Sequence, residues 1–245
     1  QKLACMLGFF IGRPRPPKET GGGAERFFIS FRIKSAIAGE DNRCNGGIQM
    51  DFTQTQTYFN LARSFAGECQ AGMRYQLIAR DATAAGLKSL ADTLRTIAKN
   101  ETNHARVFFE LLIKHAGSRD DIRVDAGYPF HTGTIAESLA FAAADEKSEH
   151  ENIYPSFART AREEGFEDIA FKFEEVAKVE ENHEIVFRYL HESVKNGTLY
   201  SAEHPLIWIC GECGYMHTAK EAWKVCPLCG AKQGEVDLHL PYKGA

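Results

Sequence analysis

A glutamate and a histidine three residues apart occur twice, as Glu101-Thr-Asn-His104 and Glu180-Glu-Asn-His183, and they restrict this chain more than any other feature. On a helix, residues i and i+3 lie one turn apart and about 60° around the axis, so both side chains reach one point beside it. Each pair follows another glutamate at nearly the same distance: Glu68 stands 33 positions before Glu101, and Glu146 stands 34 before Glu180. The chain therefore repeats a unit of helix-Glu followed by helix-Glu-x-x-His. Two such units facing each other bring four carboxylates and two imidazoles to one centre.

Apolar spacing supplies the helices. Tyr58, Leu61, Ala62, Phe65, Cys69 and Met73 recur at intervals of three and four from Thr53 onward, which predicts a first helix to about Ala85. Gly86 marks a turn, and Leu87, Leu90, Leu94, Ile97, Ala98, Phe108, Leu111 and Leu112 carry a second helix to about Ala116, with Gly117 as its stop. Residues 118–133, with Gly127 and Pro129, read as a long crossover. A third helix opens at Thr134 with Glu137 three residues on, the capping-box pattern, and runs to Gly165. Pro155 falls inside it and predicts a kink, because proline cannot bond to the carbonyl of Glu151. The fourth helix spans about Glu167 to Lys195 and ends at Asn196-Gly197.

Taken singly, each Glu-x-x-His pair is a weak signal, since Glu and His on a helix are more often a solvated face. The flanks decide otherwise. Ala62, Phe65 and Ala66 share overlapping faces with Glu68, and Ile97 precedes Glu101 by one turn, so these carboxylates sit beside apolar stripes. Buried carboxylates that converge repel one another, and two cations remove that repulsion. One glutamate from each of two helices plus Glu-x-x-His from each of two others is the ligand pattern of di-iron and di-manganese carboxylate bundles. Glu149, one turn after Glu146, is either a solvated neighbour or a further ligand. His150 is turned away by about 100°, and His115, His131 and His191 read as surface or terminus residues.

A second metal pattern lies near the C-terminus, where Cys210-Gly-Glu-Cys213-Gly and Cys226-Pro-Leu-Cys229-Gly form two C-x-x-C knuckles. Tetrahedral sulfur ligation suits zinc or iron. Spacing alone favours a structural zinc ribbon, and the redox-capable site earlier in the chain shifts the expectation to one iron that passes single electrons.

Residues 1–50 differ from the rest, with Arg13-Pro-Arg-Pro-Pro17 and Gly21-Gly-Gly23 breaking any periodicity. The apolar opening resembles the centre of a signal peptide but lacks a small-x-small cleavage site. An organelle leader is a second reading, and the expectation is a disordered extension or a translated stretch before a start at Met50. The seven cysteines, four of them in C-x-x-C pairs, point to a reducing compartment and a cytoplasmic protein rather than a disulfide framework. A net charge of -4 gives no reason to expect nucleic acid or a membrane surface as partner.

With these motifs in hand, the sequence from about Phe52 to the C-terminus resembles the rubrerythrins. The resemblance rests on Phe65-Ala-Gly-Glu68-Cys-Gln-Ala-Gly-Met-Arg-Tyr75, Glu101-Thr-Asn-His104, Glu146-Lys-Ser-Glu149-His-Glu-Asn-Ile-Tyr154-Pro155, Ala161-Arg-Glu-Glu-Gly165, Glu180-Glu-Asn-His183 and the two knuckles. It implies a mainly α fold: a ferritin-like four-helix bundle over residues 51–197 and a small rubredoxin-like domain over 205–245. It implies two iron ions held by Glu68, Glu101, Glu146, Glu180 and His183, with His104 and Glu149 exchanging at one of them, and a third iron on Cys210, Cys213, Cys226 and Cys229. Tyr75 and Tyr154 match the family's tyrosines beside the site. Cys69 stands where serine is common, and Trp223-Lys224 where Ala-Pro is common.

The implied function is a peroxidase that reduces hydrogen peroxide to water. Electrons would come through the four-cysteine iron from an external donor, an NAD(P)H-linked reductase or a rubredoxin, in a homodimer or larger assembly where the small domain of one subunit serves the di-iron site of another. A ferroxidase or iron-handling protein, and a non-catalytic zinc-binding assembly module, are the alternatives.

Overall fold

The computed structural model describes residues 51–117 and 120–243; the expectations for residues 1–50 lie outside them. Four long helical segments form the main body. Helix α1 spans Gln56–Ala84, α2 Lys88–Ala116, α3 Ile135–Ser148, α4 Tyr154–Glu163 and α5 Glu167–Asn196. A 3-10 turn at Phe52–Gln54 precedes α1, whose first turn is capped by the side chain of Thr55 accepting from the N–H of Tyr58. At the start of α3, Thr134 and Glu137 form the expected capping box. Helix α1 packs along α2, and α3 and α4 pack along α5, giving two hairpins joined by the crossover.

The expected third helix is not one kinked helix. It divides into α3 and α4 around a π turn at Glu149–Ile153, where the N–H of Tyr154 donates to the carbonyl of Glu149, five residues back. Pro155 then occupies the first turn of α4, where a missing N–H costs least. The wide turn takes up one extra residue. That residue explains the unequal spacings of the two halves, 34 positions against 33.

Each helix carries its glutamate between two apolar regions. One cluster contains Tyr75, Leu90, Leu94, Ile97, Leu139, Phe187 and Leu190; the other contains Leu61, Phe108, Leu112, Tyr154, Ile169 and Phe173. Along α1 the order is Leu61, Glu68, Tyr75, and along α5 it is Phe173, Glu180, Phe187. A polar layer therefore crosses the bundle at mid-height with a dry core on either side.

After α5, β1 (Ser201–Ile209) and β2 (Met216–Glu221) form an antiparallel hairpin, with Trp208 opposite His217 and Ile209 opposite Met216. The hairpin begins four residues before the expected domain start and contains Pro205, which interrupts the ladder between Ser201 and Leu206. Trp208, Ala222 and Val236 make its small core, and the Trp208 indole N–H donates to the carbonyl of Ala219. This module rests on the bundle through Lys88, which lies 3.5 Å from Glu235, and Lys243, which lies 2.6 Å from Glu181. No helix among the described residues is long and apolar enough to cross a membrane.

Phe173 is fully buried against Phe108, Tyr154 and Phe157, whereas Phe171 is half exposed. Phe173→Ala should lower unfolding free energy by about 3–5 kcal/mol and Phe171→Ala by roughly 0.5 kcal/mol, measured by chemical denaturation.

Candidate metal centre

Four carboxylates meet in the polar layer. Glu68, Glu101, Glu146 and Glu180 are each at most 1% exposed. His104 Nδ1 lies 3.0 Å from Glu101 Oε2, 2.9 Å from Glu180 Oε1 and 3.6 Å from Glu68 Oε2. His183 Nδ1 lies 3.0 Å from Glu101 Oε1, 2.7 Å from Glu180 Oε2 and 3.9 Å from Glu146 Oε2. Glu101 and Glu180 thus present one oxygen to each half of the layer, while Glu68 belongs to the His104 half and Glu146 to the His183 half. The two imidazole rings are nearly parallel, 6.0 Å apart.

Tyrosines close the layer above and below. The Tyr75 hydroxyl donates to Glu146 Oε1, and the Tyr154 hydroxyl donates to Glu68 Oε1. Each tyrosine reaches the glutamate of the opposite hairpin. Tyr75 follows Glu68 by seven positions and Tyr154 follows Glu146 by eight, the difference again falling in the π turn.

Charge in this layer is finely balanced. Burial pushes the carboxyls of Glu68 and Glu146 well up, and the neighbouring carboxylates add to the effect. Against the same burial, hydrogen bonds to His104 and His183 hold Glu101 at about 2. Burial alone would depress His183, yet its contacts with Glu101 and Glu180 raise it to about 9, and His104 is raised still further by Glu101, Glu180 and Glu68. Without cations the imidazoles supply the positive charge.

Close as the His–Glu contacts are, five carboxylate oxygens and one imidazole nitrogen make no well-aligned hydrogen bond: Glu68 Oε2, Glu101 Oε1, Glu146 Oε2, both oxygens of Glu180, and His183 Nδ1. These are the atoms that face one another across the layer. Orphaned, buried, converging oxygen and nitrogen donors fit a pair of divalent ions, one in each half.

Glu149 stands apart. It belongs to neither close ligand group and is only partly covered, on the π turn beside the layer. Its carboxyl is pushed well up by burial and then by Glu68 and Glu180. A cleft of about 410 Å³ opens there, lined by Glu149, Tyr154, Arg63 and Tyr128 among others. The crossover forms its outer wall, held to α1 by Tyr128 donating to the carbonyl of Arg63 and Arg63 donating to that of Asp125. His150 faces away, 3.1 Å from Glu184, as its rotation predicts. His115 and His191 are partnered, by Asp168 and by the carbonyl of Ala136, and the His131 ring lies 4.4 Å from that of Phe141.

The four knuckle cysteines also converge, with Sγ–Sγ distances of 3.8 Å for Cys210–Cys229 and 3.7 Å for Cys213–Cys226. Gly214 and Gly230 adopt positive φ of 72° and 79°, which lets their N–H groups donate back to the carbonyls of Cys210 and Cys226. Against the cost of burial, the backbone N–H groups of Cys229 and Leu228 hold the Cys226 thiol at about 7, ready to ligate as thiolate. Cys213 and Cys229 are exposed, and Cys210 and Cys226 buried.

Sequence reasoning missed Asn100, whose amide meets His183 Nε2 at 3.3 Å. Its only signal is its position, one residue before Glu101.

Comparison with known proteins agrees with this geometry. A family model described as Rubrerythrin matches residues 60–199, and one described as Rubrerythrin, rubredoxin-like domain matches residues 208–235. The rubrerythrin of Porphyromonas gingivalis is 38% identical over 180 residues, 73% of this chain and 88% of that protein. The structure of nigerythrin in a mixed-valence state aligns at a TM-score of 0.51 and 20% identity, covering 80% of this chain and 94% of that one. A bacterioferritin from Desulfovibrio desulfuricans aligns at 0.52 and 21% identity, covering 58% and 82%. At such identities the two structures speak to fold, which is a ferritin-like bundle followed by a rubredoxin-like module, with donor sets suited to two iron ions and to one. This chain belongs to the rubrerythrin family.

Proposed function

We propose that the chain is a peroxidase that reduces hydrogen peroxide to two waters, consuming two electrons and two protons. The observation that carries the reading is the unequal pair of half-sites, with a fifth carboxylate, Glu149, between the buried layer and a cleft. Two ferrous ions, when held, supply the two electrons and the Lewis acidity for cleaving the O–O bond. Glu68, Glu101 and Glu180 would hold one ion and Glu101, Glu146, Glu180 and His183 the other, with Glu101 and Glu180 shared between the two donor groups. The Tyr75 and Tyr154 hydroxyls fix the terminal carboxylates and exclude water from their outer oxygens. His104 would complete the first ion's donors, and an exchange of His104 for the anionic Glu149 would favour the oxidised state through added negative charge.

The module at residues 205–245 holds a third iron on Cys210, Cys213, Cys226 and Cys229. That iron would pass single electrons from an external donor, an NAD(P)H-linked reductase or a rubredoxin, and the exposed Cys213 and Cys229 side is where such a donor could reach it. Gly211 of the first knuckle and His183 of the bundle at 51–197 line one cleft of about 770 Å³. Assembly into at least a dimer, in which modules serve neighbouring bundles, accompanies the reading.

Rapid mixing of the reduced protein should show oxidation by peroxide outpacing oxidation by oxygen; the reverse order would mark a ferroxidase. Glu149→Ala should lower peroxide turnover by about 10²-fold with the helical fold retained, measured by steady-state kinetics and circular dichroism. Cys213→Ser with Cys229→Ser should remove the red colour of a ferric tetrathiolate and donor-coupled turnover, while one round of peroxide oxidation of the bundle persists. A colourless wild-type protein carrying zinc at both sites would sink the redox reading.

A further inference from the structure

The two histidines of the layer are held differently. His183 directs Nδ1 at Glu101 and Glu180. When that nitrogen binds a cation, Nε2 carries a hydrogen, because a neutral imidazole that ligates through one nitrogen keeps its proton on the other. The Asn100 amide stands 3.3 Å from Nε2. A half-turn of the amide exchanges its nitrogen for its oxygen and gives that hydrogen an acceptor. No side chain among the described residues offers His104 Nε2 an equivalent contact. The residue at the matching position of the other half, one before Glu180, is Val179, whose side chain has no hydrogen-bonding group.

We propose that Asn100 is a positioning residue that fixes the tautomer and ring orientation of His183, and that its absence opposite His104 makes His104 the histidine free to leave. The inference rests on reading the layer as an iron site. An acceptor on the far nitrogen of a ligating histidine orients the ring and raises its basicity, and losing it typically weakens metal affinity by about 10–100-fold. Asn100 is only partly buried and lies on α2, the helix that also carries Glu101 and His104, so one helix holds the labile ligand and secures the permanent one.

The test uses the full chain loaded anaerobically with ferrous iron. Chelator competition should show Asn100→Leu binding iron about 10–100-fold more weakly than wild type, and Asn100→Asp, which keeps an acceptor, within about threefold of it. Proton NMR of the ferrous protein should show one imidazole N–H that exchanges slowly with solvent, and this protection should be lost in Asn100→Leu and kept in Asn100→Asp. Unchanged affinity and exchange in Asn100→Leu would overturn the proposal, as would equal weakening in both variants. If Asn100→Leu does not fold, Asn100→Ala provides the same comparison. Neither readout uses an oxidant. A protein with these responses but no peroxide turnover would therefore overturn the peroxidase reading alone.

Discussion

Four carboxylates at the centre of a dry helical bundle are the constraint on which the rest of the molecule depends. Withdrawing an ionised carboxylate from water carries a penalty of several kcal/mol per ion unless positive charge meets it. Here each glutamate lies within one turn of apolar side chains on its own helix, and among the described residues the basic groups in contact with these carboxylates are His104 and His183. Two imidazoliums against four carboxylates leave both unpartnered oxygens and raised carboxyls. Metal binding and stability are consequently one property of this layer: divalent ions relieve a strain in charge that folding alone leaves in place.

The helices follow from that demand. A polar layer at mid-height must be sealed from both ends, which requires several apolar turns above and below it and hence segments of 29 or 30 residues in α1, α2 and α5. The C-terminal module has a different solution to being small. Its core amounts to little more than Trp208, Ala222 and Val236, so four thiolates around a metal take the part that burial plays in the bundle.

Much of this was legible in residue order. Helix extents came from three-and-four spacing, and the convergence of Glu68, Glu101, His104, Glu146, Glu180 and His183 from two repeated triplets. The Thr134–Glu137 cap and the outward turn of His150 also followed from local rules. The β hairpin did not, because Pro205 and the mixed polarity of Ser201–Ile209 hide its alternation. Asn100 was invisible for another reason: a contact between α2 and α5 depends on helix rotation that no spacing within α2 reveals. The π turn was visible only indirectly. Proline at 155 signals a distortion but not its kind, and the clue lay in the one-position mismatch between two otherwise equal repeats.

That wide turn has a consequence for the phase of the helix. Adding a residue to a regular helix rotates everything beyond it by about 100°, which would carry Tyr154 and Ala158 out of the core. Confined to Glu149–Ile153, the addition is absorbed locally, and the inward stripe resumes at Tyr154 as though nothing had been inserted. Two nearly identical hairpins thereby acquire distinguishable ends without repacking either one. In the first hairpin the residue one turn after Glu68 is the buried Ala71; in the second, the residue one turn after Glu146 is Glu149, at the edge of solvent. A scaffold with twofold logic becomes directional, with a small apolar residue at one position and a carboxylate at its counterpart, through a single residue's worth of extra backbone.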